Sequence, residues 1–273
     1  MKKQKSEKTP ILRIGGFCKK FSLPNLLIKD ESENSFGTWK DRRSKLIIKK
    51  ATEKGINKLA IITSGNAGYS LAKTAKGTGI KVVCIAGIKT KKSILKKLKK
   101  ACHKLVLVDL SKKIFSKNEI IAFARENKKE KIIDVNFGFE EAYEEIIKEI
   151  KKEKPEFLVC PIGSGCGFVG LYKGIKKFKM KTILIGVRPK EIPSIADKLY
   201  SYYTPYEPKI KKITKEGHKI VRVSEKEILL AYNFAKKHLK CEPSSAAAFA
   251  ALPKIKCRKD ARIIVINSGK GLL

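Results

Sequence analysis

Short apolar runs alternate with helical patterns along almost the whole chain, and this alternation is the feature that most limits the possible folds. One run spans residues 59–62 and is followed by helical spacing over 69–76, and further runs lie at 81–85, 157–161 and 262–266. Runs of this length that are apolar throughout are typical of strands buried on both faces. The alternation therefore predicts an α/β fold with parallel sheets whose strands are joined by crossover helices.

The size and composition suit a folded protein with a substantial core. The chain has 273 residues, of which 42% are hydrophobic, enough for one large domain or two medium ones. No apolar run approaches the roughly 18–20 residues that a membrane span needs. The N-terminus is polar and charged, with no apolar segment behind it. We therefore expect a cytoplasmic protein without a membrane partner.

The formal net charge of +36 is extreme and raises the possibility of a nucleic-acid or acidic-membrane partner. The lysines, however, recur on nearly every polar helix face, as at 89–100, 148–154 and 209–215, while arginine is scarce. The sequence contains no zinc-finger, RNA-recognition or helix-turn-helix signature. The distribution favours solvated surfaces over a specific nucleic-acid site. The positive field would still attract small anionic substrates.

The cysteines and histidines predict neither disulfides nor a metal site. The seven cysteines are an odd number without a C-x-x-C pair, so we expect free thiols, with Cys84 and Cys160 in the core. The three histidines are far apart in the sequence and form no ligand spacing.

Lys40 lies in the stretch Asn34–Arg42, between a short apolar run at 26–28 and a helical pattern over 44–54. This lysine is therefore placed where a strand and a turn lead into a helix. A lysine that its neighbours hold and partly desolvate can act as a nucleophile, because burial disfavours the ammonium form. Taken alone, the stretch is more typical of one further lysine at a helix start.

A glycine-rich turn at Gly163, Ser164, Gly165, Cys166 and Gly167 follows one of the apolar runs and precedes a helical pattern. Glycines allow the backbone to approach a phosphate, and the helix behind them supplies free N–H groups and a positive dipole end. The turn lacks the Walker lysine and serine, and it is not a full dinucleotide fingerprint. Considered alone, the motif at 163–167 is equally consistent with an ordinary tight turn.

A second turn, Ser64, Gly65, Asn66, Ala67 and Gly68, also leads from a strand pattern into a helix. Its amides and the Ser64 hydroxyl are suited to a carboxylate, and the Asn66 side chain is suited to a hydrogen bond with a substituent on a planar ring. The alternative interpretation is that Asn66 only caps the helix, which is common for asparagine.

Taken together and in order, these motifs resemble the fold type II pyridoxal-phosphate enzymes, the tryptophan synthase β family, and within it threonine synthase most of all. The resemblance extends from about Thr9 to the C-terminus. The matching segments are Lys29–Glu31, Asn34–Arg42, the Ser-Gly-Asn-Ala-Gly turn, Glu242–Ala247 and the ending Gly269–Leu272. Five ordered motifs are far more specific than any one of them.

The resemblance implies pyridoxal 5′-phosphate as cofactor and a role for each motif. Lys40 would form the Schiff base and then shuttle protons, and Asn66 would bind the ring hydroxyl. The turn at 163–167 would hold the phosphate, and Ser268 would face the pyridine nitrogen and leave it largely unprotonated. Residues 64–67 would bind the substrate α-carboxylate.

The resemblance also implies two lobes with the cofactor in the crevice between them. We place the large lobe at residues 1–40 and 131–273 and the small lobe at 41–130. The implied activity is a lyase that converts O-phospho-L-homoserine and water to L-threonine and phosphate. A homodimer is expected by analogy with the family.

Several positions depart from the family pattern and leave the substrate open. Before the lysine, Ser35, Phe36, Thr38 and Trp39 stand where the family has Pro, Thr, Ser and Phe, and Arg43 replaces a usual glycine. A tryptophan beside the lysine is expected to reshape the pocket.

Other stretches keep alternative functions open. The segment 193–197 is similar to the Ile-Ala-Asp stretch of serine/threonine dehydratases, and the segment after Asn136 does not match threonine synthases well. The alternatives are a serine/threonine dehydratase, a cysteine synthase-like enzyme for β-elimination or β-replacement, and a non-catalytic relative that binds nucleic acid.

Overall fold

The computed structural model describes residues 8–111, 114–200 and 203–272. The chain divides into two compact units, the first made of Met1–Trp39 with Tyr143–Lys270 and the second of Lys40–Ala142 with Gly271–Leu273. Within the described ranges, no helix is both long and apolar enough to cross a membrane.

The α-helices of the described residues are α1 (Gly15–Phe21), α2 (Lys40–Glu53), α3 (Asn66–Thr74), α4 (Lys92–Ala101), α5 (Lys117–Ala124), α6 (Glu144–Ile150), α7 (Cys166–Lys177), α8 (Glu207–Lys215), α9 (Glu225–Ala235) and α10 (Pro243–Ala250). The strands are β1 (Ile11–Leu12), β2 (Leu26–Asp30), β3 (Lys58–Ile62), β4 (Lys81–Gly87), β5 (Lys104–Val108), β6 (Ile132–Asp134), β7 (Phe157–Pro161), β8 (Ile183–Pro189), β9 (Lys219–Val223) and β10 (Ile263–Asn267).

The first unit contains a six-stranded sheet in the order β1-β2-β10-β7-β8-β9. β1 runs antiparallel to β2, and the other neighbours are parallel. β7 and β10 are buried along their whole length, as their unbroken apolar runs require of central parallel strands. The predicted α/β fold with parallel sheets is confirmed.

Helices α9 and α10 show how the sequence shapes the core of this unit. Ser224 and Glu227 form a capping box at the start of α9. Pro243 occupies the first turn of α10, where its missing N–H costs no helical bond. The alanines that follow are almost fully buried, and their small side chains allow α10 to pack closely on the sheet and on α9.

The second unit contains a four-stranded parallel sheet in the order β5-β4-β3-β6. The lobe boundary predicted after residue 130 falls before β6, but β6 pairs with β3, with Ile132 opposite Lys58. The strands before and after that division therefore lie in one sheet.

All seven cysteines are free thiols, as predicted. Cys84 and Cys160 are fully buried in β4 and β7, which confirms their place in the core. Burial raises the pKa of the Cys160 thiol, so that it behaves as a small apolar side chain.

A buried lysine at the start of β3 pairs with two glutamates of the second unit. The side chain of Lys58 is 1% exposed, and its Nζ lies 2.5 Å from Glu130 Oε1 and 2.9 Å from Glu126 Oε2. The hydrogen bond from Lys58, with backbone N–H groups at Glu126 and Asn127, lowers the pKa of Glu130 to about 2.

This pair predicts a loss of stability in acid. The unfolded Glu130 carboxyl titrates near its usual value of about 4.3, so its stabilising effect is complete above that pH and is lost as the pH falls toward 2. Replacing Glu130 with glutamine should lower the urea midpoint at pH 7. The decrease should be much smaller at pH 3. Glu53→Gln, at an exposed pair, is the control. An equal loss at both pH values for Glu130→Gln would contradict the assignment.

Candidate active site

The glycine-rich loop of residues 163–167 connects β7 to α7 in the first unit. α7 begins at Cys166, and the N-cap Gly165 before it has a positive φ of 91°. Within the described residues, the N–H groups of Ser164, Gly165 and Gly167 have no hydrogen-bond acceptor. The start of α7 thus presents unsatisfied donors and the positive end of a helix dipole, which suit an anion such as phosphate.

Contacts with a later segment of the same unit restrain this loop. A Cβ on Gly163 would lie 2.6 Å from the backbone oxygen of Lys198, which leaves no room for a side chain. The Thr204 hydroxyl donates to the carbonyl of Ser164. Glycine is therefore needed at 163 because the protein's own backbone approaches it closely.

Ser268 directly follows β10, and its Oγ lies 2.8 Å from Ser245 Oγ. Ser245 Oγ also donates to the carbonyl of Gly269 at 2.9 Å. Because a hydroxyl has a single proton, Ser268 is the donor to Ser245 and keeps its lone pairs for other partners. A neutral, buried hydroxyl therefore stands at the end of this central strand.

The residues that lead to Lys40 are bonded to the same strand end. Thr38 forms an antiparallel bridge with Gly269, and the N–H of Trp39 donates to the carbonyl of Ser268 at 2.9 Å. Lys40 is the next residue in the chain and the first of α2, and it is half-buried. Lys40 therefore directly follows a residue whose backbone is bonded to the end of β10.

Helix α2 is held within the second unit by buried polar contacts. The Arg43 guanidinium donates to the carbonyls of Val135 at 2.5 Å and Gly138 at 3.0 Å. Ser44 Oγ lies 2.8 Å from Ser70 Oγ on α3. Arg43, one of the departures from the family pattern, therefore connects α2 to the segment after β6.

The turn before α3 is organised by Thr63. Its Oγ1 accepts hydrogen bonds from the N–H groups of Gly65 and Gly68, both at 3.0 Å. In the part of the chain that the structure describes, the N–H groups of Ser64 and Ala67 have no acceptor. With the exposed Ser64 hydroxyl, they form a set of donors suited to a carboxylate.

The structure brings the sequence-predicted residues together within each unit. In the first unit, Trp39 contacts both Ser268 and Gly167 of the glycine-rich loop. In the second unit, Lys40 and Asn66 begin α2 and α3, two helices that pack on each other, and Asn66 is buried. The individual roles of these residues stay predictions.

Sequence reasoning missed the side chains that support these residues. The supporting role of Thr63 has a local sequence signal. A threonine between a strand and a Ser-Gly pair often accepts hydrogen bonds from nearby backbone N–H groups through its hydroxyl. Ser245 and Thr204 carry no such local signal, since their partners lie 23 and 40 residues away in the sequence.

The acidic, histidine and cysteine side chains form no group that could hold a metal ion anywhere in residues 8–111, 114–200 and 203–272. The donors that converge at the two turns are backbone N–H groups and hydroxyls, which suit anions rather than cations.

A family comparison identifies the chemistry to which these residues belong. The family described as "Pyridoxal-phosphate dependent enzyme" matches residues 3–269. The chain belongs to this family. Its motifs had suggested a fold type II pyridoxal-phosphate enzyme, and that prediction is confirmed.

Among the curated members of this pyridoxal-phosphate dependent family, the chain is similar to threonine synthases. The one from Methanocaldococcus jannaschii is 26% identical, over 97% of this chain and 74% of that protein. The one from Methanosarcina acetivorans is 24% identical, over 96% of this chain and 74% of that protein.

Solved structures with the same fold include enzymes of different reactions. A serine racemase from Dictyostelium discoideum has a TM-score of 0.81 at 20% identity, covering 98% of this chain and 93% of that one. An O-acetylserine dependent cystathionine beta-synthase from Helicobacter pylori has a TM-score of 0.79 at 22% identity, covering 96% and 92%. At such identities the likeness shows the fold and not the reaction.

Pyridoxal 5′-phosphate is the cofactor of this family, and the residues present fit it. The unsatisfied N–H groups of Ser164, Gly165 and Gly167 suit its phosphate dianion. The hydroxyl of Ser268 suits a ring nitrogen, because it can accept or, after rotation, donate a hydrogen bond. Lys40 supplies the primary amine that an aldehyde requires.

Proposed function

We propose that this protein is a threonine synthase-like lyase, which converts O-phospho-L-homoserine and water to L-threonine and phosphate. The similarity to threonine synthases along nearly the whole chain supports this choice of substrate. The observation that carries the proposal is the pair of N-terminal helix turns with unsatisfied N–H groups, at 163–167 and 64–67. One turn suits the cofactor phosphate and the other the substrate carboxylate.

Each residue has a defined task in this proposal. When bound, pyridoxal phosphate supplies an electron sink that stabilises negative charge on the carbon beside the substrate amine. Lys40 holds the cofactor through its amine and then takes and returns protons at the substrate carbons. Ser64 and Ala67 bind the α-carboxylate and so orient the carbon from which Lys40 takes a proton.

The remaining residues set the cofactor's electrostatic environment. The N–H groups of the 163–167 loop hold the phosphate dianion. Asn66 binds the ring hydroxyl, and the neutral Ser268 hydroxyl stabilises a proton on the pyridine nitrogen less than a carboxylate would. The net charge of +36 attracts a doubly charged phosphate substrate and so favours its encounter with the protein.

The proposal predicts release of phosphate from O-phosphohomoserine by purified, cofactor-loaded protein, with an equal amount of threonine formed. O-phosphoserine, which lacks one methylene group, is the matched control substrate. We expect its kcat/KM to be lower by at least about tenfold. Phosphate release and amino-acid analysis on the same samples measure both products.

Other results would select another function. Ammonia and an oxoacid from serine or threonine, without phosphate release, would indicate a dehydratase, the alternative that the segment 193–197 supports. Replacement of the activated group of O-acetylserine by sulfide would indicate a cysteine synthase-like enzyme. No cofactor uptake, together with steeply salt-dependent binding to DNA or RNA, would indicate the non-catalytic relative.

Two further expectations belong to this proposal. The first is a homodimer, by analogy with the family, and the second is a cytoplasmic location. Both remain predictions.

A further inference from the structure

Trp39 is the single tryptophan of the chain and lies one residue before Lys40. It is buried, with 7% of its surface exposed, and its ring centroid lies 5.1 Å from that of Tyr143 at a tilt of 59°. Tyr143 is itself fully buried. The indole is therefore packed in the first unit and is not a surface side chain.

The indole lies directly against the glycine-rich loop. A Cβ on Gly167 would lie 2.6 Å from Cη2 of Trp39 and 3.0 Å from both Cζ2 and Cζ3. Real Cβ atoms do not approach other atoms this closely, so only glycine fits at 167 while the indole occupies this place. The ring thus packs on the backbone at the first turn of α7, beside the unsatisfied N–H groups.

The position of the indole is set by a different element. The N–H of Trp39 is bonded to the carbonyl of Ser268 at the end of β10, and Thr38 pairs with Gly269. Its backbone N–H is therefore held by the central strand. The ring acts as a fixed surface against which the start of α7 packs.

Phenylalanine, the residue of the family pattern at this position, could not make the same contact. The atoms nearest Gly167 belong to the six-membered ring of the indole, its far end from the backbone. A phenyl ring on the same backbone is shorter and would leave a gap above Gly167, and such a gap loses packing contacts. The Trp39 and Gly167 pair is thus a matched unit of this chain.

We propose that Trp39 is a positioning residue for the phosphate-holding loop: its indole fixes the Gly167 backbone and thereby directs the N–H groups of the loop toward the cofactor phosphate. This role rests on the proposed function, because it requires that the loop hold that phosphate. In this proposal Trp39 supports phosphate binding, whereas Lys40 forms the covalent bond to the cofactor.

A double-mutant cycle tests the pairing through cofactor affinity, measured by absorbance titration of the cofactor-free full-length protein. Trp39→Phe should weaken pyridoxal phosphate binding about tenfold, the upper part of the range for a specific aromatic contact. Gly167→Ala should weaken it at least as much, because the methyl group meets the indole. In the double variant the methyl group occupies the gap, so the loss should be smaller than the sum of the two.

Two further measurements separate positioning from general packing. Pyridoxal, which lacks the phosphate, should bind the parent and Trp39→Phe proteins with affinities within about twofold. Inorganic phosphate should change the fluorescence of the parent protein, in which Trp39 is the single tryptophan. Phe17→Leu, a core change elsewhere in the first unit, is the control for stability and should leave the affinity for pyridoxal phosphate unchanged.

The outcomes distinguish the inference from the function on which it rests. The positioning role is overturned if the parent protein binds pyridoxal phosphate and Trp39→Phe binds it equally well. It is also overturned if the substitution weakens the binding of pyridoxal as much as that of pyridoxal phosphate. Additive effects of the two substitutions would also overturn it. If the parent protein takes up no pyridoxal phosphate at all, the proposed function is refuted first, and the role of Trp39 falls with it.

Discussion

Replacing Lys40 with alanine is expected to abolish the visible absorbance band of the bound cofactor and to lower turnover at least about 10⁴-fold. Alanine lacks the amine that bonds the cofactor aldehyde. It also lacks a group that can transfer a proton to or from the substrate. The absorbance spectrum of the purified protein measures the first effect, and phosphate release from O-phosphohomoserine measures the second.

Lys40 begins its helix among buried neighbours of the second unit. It is half-buried at the first position of α2, and Asp41 and Arg43 beside it are 0% and 5% exposed. The residue before it, Trp39, donates its N–H to the carbonyl of Ser268.

A matched control lies on the same helix. Lys49 is exposed and pairs with Glu53 at 3.9 Å, so Lys49→Ala should keep the band and the activity within about twofold. Circular dichroism would show that both variants keep the fold. A Lys40→Ala protein that retained the same absorbance band would place the covalent bond on another lysine.

The sequence predicts the inner strands of the sheets well, because strands such as β3 and β10 are buried on both faces and are mostly apolar. The predicted run at 59–62 corresponds to β3, Lys58–Ile62, and the run at 262–266 to β10, Ile263–Asn267. In such strands hydrophobicity alone marks the segment. Helix starts are harder: the pattern over 44–54 became α2, which begins earlier, at Lys40.

Segments with weak periodicity were predicted less well. The sequence of 189–215 has no clear period and favours an irregular segment, yet this range contains α8, whose buried side chains are Ile210 and Ile213. Two buried residues in nine are too few for a clear helical period. The amphipathic sequence of 139–152 favours one long helix, whereas α6 covers only Glu144–Ile150 between two 3₁₀ turns.

At the candidate site, the sequence identifies the turns but not what holds them. Glycine, serine and asparagine mark a turn wherever it lies, because these residues permit the required backbone conformations. The contacts of Trp39 with Gly167 and of Ser245 with Ser268 join residues more than twenty positions apart. Such contacts exist only once the sheet has formed, and no local pattern predicts them.

Replacing Glu149 with alanine should destabilise the protein by about 3–5 kcal/mol, because it leaves a buried charge without its carboxylate. Lys29 lies in β2 and is 0% exposed, and its Nζ lies 2.5 Å from Glu149 Oε2 on α6. The same Nζ donates to the carbonyl of Thr9. The loss would be a large part of a typical domain stability of about 5–15 kcal/mol.

The urea midpoint and slope of the parent and variant proteins measure this effect. Glu145 on the same helix is the matched control, because its contact with Lys148 is exposed and 3.9 Å long. Glu145→Ala should change the free energy of unfolding by no more than about 0.5 kcal/mol. A Lys29→Met, Glu149→Leu double variant removes both charges, and we expect it to recover most of the lost stability.

This prediction also separates structure from catalysis in the Lys29–Glu31 segment, which carries part of the resemblance to threonine synthase. Glu31 is fully buried and accepts hydrogen bonds from Thr9 Oγ1 at 2.6 Å and Asn34 Nδ2 at 2.8 Å. The segment therefore acts as a buried polar network that joins β2 to its neighbours. If the double variant is stable and still binds pyridoxal phosphate, the motif is structural. If it is stable but binds none, Lys29 contributes to the cofactor site, and the structural interpretation is wrong.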